Sequence, residues 1–84
     1  MKRAEVTYDQ LDKALRALGF TCRVVMKDGE ARQYEHAQTG ALILMPSYPE
    51  EDKVLEIHLH MVRVTLENFG IDPTTFDKKL QKAG

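Results

Sequence analysis

The chain has 84 residues, of which 43% are hydrophobic and 30% charged, with a formal net charge of −1. That makes one domain with one core, burying about 60–65% of its unfolded surface; the apolar content is too high and the net charge too low for a disordered chain. The charge balance excludes a basic footprint over the whole chain, so any nucleic-acid contact is local, and the single cysteine, Cys22, excludes an internal disulfide and fits a reducing compartment.

The start, MKRAEVTYDQLDKAL, is basic but lacks the apolar run of a signal peptide. The longest apolar run, ALILMP, is far short of the roughly 20 residues that a membrane helix needs. A soluble, cytoplasmic protein is expected, with no membrane contact. In TYDQLDKALRALGF, Thr7 and Gln10 form a capping box, Leu11, Leu15 and Leu18 recur at helical spacing, and Gly19 closes the helix. FTCRVVMK alternates: Phe20, Cys22, Val24 and Met26 take the core side, and Thr21, Arg23, Val25 and Lys27 the other. Cys22 reads as a small buried hydrophobe.

Asp28-Gly29 is a hairpin signal. EARQYEH follows as a polar second strand, AQTG as a turn and ALILMP as a third strand ended by Pro46. SYPEEDK is an acidic loop. VLEIHLHMVRVTLENFG alternates like a strand in its first half, but Leu55, Leu59, Val62, Leu66 and Phe69 fit one helical stripe, so a helix is expected from about Ile57 to Phe69. Asp72 and Pro73 open a last short helix, whose Phe76 and Leu80 are expected to pack back on the domain or on a second subunit. Lys78, Lys79 and Lys82 stand toward its C-terminal end, where the helix dipole favours cations.

The fold class is therefore α+β, in the order α-β-β-β-α(-α): a three-stranded antiparallel sheet with helices on one face. The whole chain, 1–84, is one domain with a core of about 7–71 and an extra helix of about 73–82. The other sheet face stays open, which allows a polar middle strand.

The helix LDKALRALGF, the segment GEARQYEH, the strand TGALILMP and the helix HLHMVRVTLENFGI, in that order and spacing, resemble the HicA family of bacterial toxins. The resemblance covers about Tyr8 to Ile71 and implies a fold like the double-stranded-RNA-binding domain. In the family's second strand a glycine is followed by a small residue, a catalytic histidine, two variable residues, an aromatic and often another histidine. Gly29, Tyr34 and His36 take their expected places here. The position of the catalytic histidine holds Ala31, and a methyl group cannot move a proton. The resemblance implies mRNA as the binding partner and a HicB-type antitoxin that blocks the active face, with cleavage absent or silenced. No cofactor is expected. A non-catalytic protein-interaction module of the same fold is the alternative.

Arg32, Tyr34 and His36 share one strand face, and Ala31, Gln33 and Glu35 the other. His36 is a replacement acid–base candidate by its chemistry, though it lies at the strand's end across from the Ala31 face; a histidine bonded to the neighbouring turn is the plainer reading. Arg23, Lys27, Arg32 and Gln33 are the candidate RNA contacts, reading shape rather than sequence. The N-terminal half, with seven basic residues and six acids, also reads as an ordinary mixed surface. His58 and His60 would chelate a metal from a strand, but a helix sets them about 200° apart, so no metal site is expected. A homo-oligomer is compatible with the sequence.

Overall fold

The expected helix, three antiparallel strands and two further helices are present in the computed structural model, which describes residues 2–26 and 28–83. In chain order the elements are β1 (Arg3–Thr7), α1 (Tyr8–Ala17), β2 (Phe20–Met26), β3 (Glu30–His36), β4 (Ala41–Pro46), β5 (Lys53–Leu55), α2 (Glu56–Asn68) and α3 (Pro73–Ala83). The fold is α+β, with β2-β3-β4 as an antiparallel meander.

Local chemistry explains where the elements begin and end. The Gln10 amide N–H donates to Thr7 Oγ1 at 3.2 Å, and the Thr7 amide donates to Gln10 Oε1 at 2.7 Å, which completes the capping box. The next two orphan donors of α1 find partners in the acidic loop: the Tyr8 and Asp9 amides donate to the carbonyls of Asp52 and Glu50, both at 3.0 Å. That loop therefore caps a helix through its backbone. Asp28 (φ 55°) and Gly29 (φ 108°) turn the chain between Met26 and Glu30, which stand opposite each other in the ladder. Asp72 opens α3, with its Oδ1 accepting from the Thr74 amide at 2.9 Å.

α1 packs on β2 and α2 on β4. Leu11, Ala14 and Leu15 of α1, Leu59, Val62 and Leu66 of α2, and Phe20, Tyr34, Ala41, Ile43 and Met45 of the meander share one core. Phe76 and Leu80 enter the same core, so α3 packs back on its own domain, chiefly against α1. Each fully buried Leu, Ile or Phe in this set contributes about 1.5–3 kcal/mol of transfer free energy.

Three expectations are corrected. β1 and β5 form a second, two-stranded antiparallel sheet, Arg3 opposite Leu55 and Thr7 opposite Lys53, which was not foreseen. Val24 and Met26 do not enter the core although they alternate with Phe20: they are 58% and 77% exposed, because the end of β2 runs past the helices. Phe69 leaves the apolar stripe of α2 and is 43% exposed, since it is the C-cap residue where the helix ends before Gly70 (φ 74°).

Candidate functional site

The register of the meander builds the open face as three rows across the strands. Val25, Ala31 and Pro46 form one row; Arg23, Gln33 and Leu44 the next; Thr21, Glu35 and Leu42 the third. The β2 and β3 positions are mostly polar, and β4 contributes an apolar column, with Leu42 51% exposed. A shallow recess of about 250 Å³ opens over the polar part, lined by Thr21, Cys22, Arg23, Gln33 and Glu35. Arg23 and Gln33, expected as RNA contacts, are direct cross-strand neighbours here. Among the described residues no carboxylate lies within ion-pairing distance of Arg23, unlike Lys13, Arg16, Arg32, Lys53 and Arg63. Lys27, the other cation expected beside Arg23 on this face, lies outside the described residues.

Ala31 belongs to this face but presents little: it is 7% exposed, between Val25 and Pro46. No side chain in its row can donate or accept a proton.

The other face of β3 is built differently. Arg32 points toward the helices and is separated from Arg23 and Gln33 by the sheet. Its guanidinium stands 3.9 Å from Asp12 Oδ1 and 3.5 Å from Glu50 Oε1. The Tyr34 hydroxyl donates to Asp12 Oδ1 at 2.6 Å, and Arg16 Nε donates to Asp12 Oδ2 at 3.0 Å. Asp12 is thus the hub that ties α1 to β3. Burial, with the Asp12 carboxylate beside it, holds the Tyr34 phenol protonated well above the ordinary tyrosine range.

His36 is in the core. Its Nε2 donates to the Leu18 carbonyl at 3.1 Å, since a carbonyl oxygen only accepts. In the neutral ring, Nδ1 accepts from the Thr39 hydroxyl at 2.9 Å, and Thr39 Oγ1 in turn accepts from the Ala41 amide at 3.2 Å. The ring also packs at 4.9 Å from Phe20. Both nitrogens are committed to the turn and to the end of α1, which leaves neither for a substrate. Gly19 (φ 101°) passes close over this ring: a Cβ there would meet His36 Nε2 at 3.4 Å.

His58 and His60 do not act together. Tyr8, in the first turn of α1, accepts the Leu55 amide proton at 3.2 Å and donates its own to His58 Nδ1 at 2.9 Å. Tyr48 stacks on Tyr8 with ring centroids 4.7 Å apart. Burial lowers the His58 pKa below the ordinary histidine value, which favours the neutral ring. His60 lines a separate groove of about 490 Å³ with Ala4, Glu56, Ile57, Leu59 and Arg63. The only guanidinium in that groove, on Arg63, is committed to Asp77 at 2.8 Å.

The sequence reading missed the Tyr8–Tyr48–His58 cluster and the role of Asp12. The nearest sequence signal was Asp12 itself, an acid one residue from Leu11 on the otherwise solvated side of α1. Nothing in the spacing of positions 8, 48 and 58 links them. Among the described residues no group of three or more histidine, cysteine or carboxylate side chains could hold a metal ion, and no helix is long and apolar enough to cross a membrane. No family model matches the chain, and neither a curated protein nor a solved structure matches it.

Proposed function

We propose that this chain is a HicA-like, toxin-type RNA-binding protein of a toxin–antitoxin pair, acting in the cytoplasm, with its RNA-cleaving chemistry absent or silenced at Ala31. The observation that carries the reading is the middle row of the open face. Arg23, with no carboxylate in ion-pairing distance among the described residues, stands beside Gln33, and the adjoining row of Val25, Ala31 and Pro46 holds only apolar side chains. A guanidinium and an amide can meet phosphate and ribose oxygens without reading bases. Nothing in the row of Ala31 can take a proton from a ribose hydroxyl, so binding without cleavage is the chemistry these residues support.

The test compares the purified protein with its Ala31→His variant on mRNA. The expected result is binding at low salt without cleavage by the native chain. Cleavage by the variant alone, or growth arrest when only the variant is expressed, identifies a silenced toxin. If neither protein binds or cuts RNA, the reading is wrong.

A second reading has its own observation. Leu42 and Leu44 are exposed side by side on β4, next to Pro46, which suits a protein partner better than a phosphate chain. On this reading the fold is an interaction module. In the toxin–antitoxin reading the same apolar column would seat the HicB-type antitoxin. Leu42→Lys with Leu44→Lys separates the two contacts: loss of a protein complex with RNA binding retained assigns the column to the protein.

A further inference from the structure

We propose that α3 carries a second polyanion-binding surface, formed by Lys78, Lys79 and Lys82, which holds the phosphates of RNA; it rests on the RNA-binding reading above and adds a location to it. Elsewhere on the fold five cations are already neutralised. Lys13 pairs with Asp9, Arg16 with Asp12, Arg32 with Asp12 and Glu50, Lys53 with Glu5, and Arg63 with Asp77. Among the described residues no carboxylate lies within ion-pairing distance of Lys78, Lys79 or Lys82, and these three fall within five consecutive positions of one helix.

The acids at this helix are committed elsewhere. Asp72 caps its start through the Thr74 amide, and Asp77 holds Arg63 at 2.8 Å. Among the described residues, the charged side chains of α3 left without a partner are therefore all positive. Its geometry is fixed from below, because Phe76 and Leu80 are buried in the core. Lys78 and Lys82 are one helical turn apart, about 6 Å along the axis, with Lys79 beside them.

The helix dipole does not account for the cluster. Only Lys82 stands in the last turn, where the dipole favours a cation. A membrane surface fits less well than a nucleic acid, because the exposed positions Thr74, Thr75, Lys78, Gln81 and Lys82 include no apolar side chain to insert. α3 packs chiefly on α1, on the helical side of the molecule. RNA held there leaves the apolar column of Leu42 and Leu44 free for a protein, so both contacts described above can be made at once.

The experiment measures affinity for a labelled double-stranded RNA between about 50 and 200 mM salt. The Lys78→Gln, Lys79→Gln, Lys82→Gln triple variant is compared with the native chain, with the corresponding triple Lys→Arg variant and with Arg23→Gln. The triple glutamine variant is expected to flatten the slope of log K against log salt by about 3 and to weaken low-salt binding roughly tenfold or more. The arginine variant keeps both slope and affinity, and circular dichroism checks that each variant is folded. Unchanged RNA binding in the folded glutamine variant overturns this proposal while the RNA-binding reading stands. No RNA binding by the native chain overturns both. Binding to phosphatidylserine–phosphatidylcholine vesicles in place of RNA, lost in the glutamine variant, assigns the lysines to a lipid surface and overturns the proposal.

Discussion

The two faces of β3 carry similarly polar residues and treat them in opposite ways. Toward the helices, Arg32, Tyr34 and His36 are all bonded: to Asp12 and Glu50, to Asp12, and to Leu18 and Thr39. Toward the open side, Gln33 and Glu35 face solvent and the recess, and neither side chain has a hydrogen-bond partner among the described residues. The difference is the cost of burial. A buried polar group without a partner loses its hydration and gains nothing, so every polar atom on the covered face had to acquire a partner. On the open face water serves, and the side chains remain available to a ligand. A polar strand in the middle of a small sheet therefore does two jobs, locking α1 and the turns on one side and presenting a surface on the other.

The comparison is tested most severely at Tyr34. Replacing it by alanine removes a buried ring and its bond to Asp12, and should cost about 3–5 kcal/mol in a urea denaturation. Tyr34→Phe keeps the ring and isolates the hydroxyl contribution, with an expected loss of about 1.5–3 kcal/mol, as befits a bond to a charged acceptor. A Tyr34→Phe variant as stable as the native chain would mean that Asp12 is held by its arginines alone.

His36 and Gly19 come next. His36→Leu keeps the packing against Phe20 but strands the Leu18 carbonyl, and should cost about 1–3 kcal/mol. Gly19→Ala combines a left-handed backbone (φ 101°) with close contact to the His36 ring, and should cost about 1–3 kcal/mol. Combining the two substitutions should give less than the sum of their effects, since they share one contact.

His58 makes a pH prediction. Its pKa is lowered in the folded chain by burial, so the unfolded chain binds the proton more readily. Its contribution to stability is then fully present above the unfolded histidine value of about 6.5 and is lost as pH falls below it. Urea midpoints taken on either side of that value should fall on the acid side, and His58→Gln should flatten the decline. A decline of equal depth in the variant would place its origin in other groups.

The smallest effects belong to the open face. Arg23→Gln, Gln33→Ala and Glu35→Ala should each change stability by no more than about 0.5 kcal/mol, with any consequence confined to RNA binding. A large stability loss in any of these would remove the distinction between the two faces.

Much of this architecture was legible in the amino-acid sequence because it rests on local chemistry. Thr7 and Gln10 set the start of α1, and Asp28-Gly29 and Gly40 set the two hairpins; ALILMP is apolar throughout, so only the structure shows which side of β4 is core. The ambiguous segment after Leu55 proved helical, as its period suggested. The pairing of β1 with β5 was not legible, because strands of five and three residues, about 50 positions apart, leave no turn signal between them. Nor was the exposure of Val24, Met26 and Phe69: alternation and helical period say which side a residue faces, not how far the covering element reaches.

The candidate site divides in the same way. The sequence by itself determined that Ala31, Gln33 and Glu35 share one side of β3 and Arg32, Tyr34 and His36 the other, because side-chain alternation is a property of the strand alone. Only the tertiary structure decided which polar residues were already engaged. Asp12 reaches Tyr34 from α1, Leu18 and Thr39 close around His36, and Tyr8 and Tyr48 meet His58 across the fold. These partners come from segments up to 50 positions apart, brought together by the burial of one shared core. The same burial leaves Arg23, Lys78 and Lys82 exposed, with no counter-charge in ion-pairing distance among the described residues.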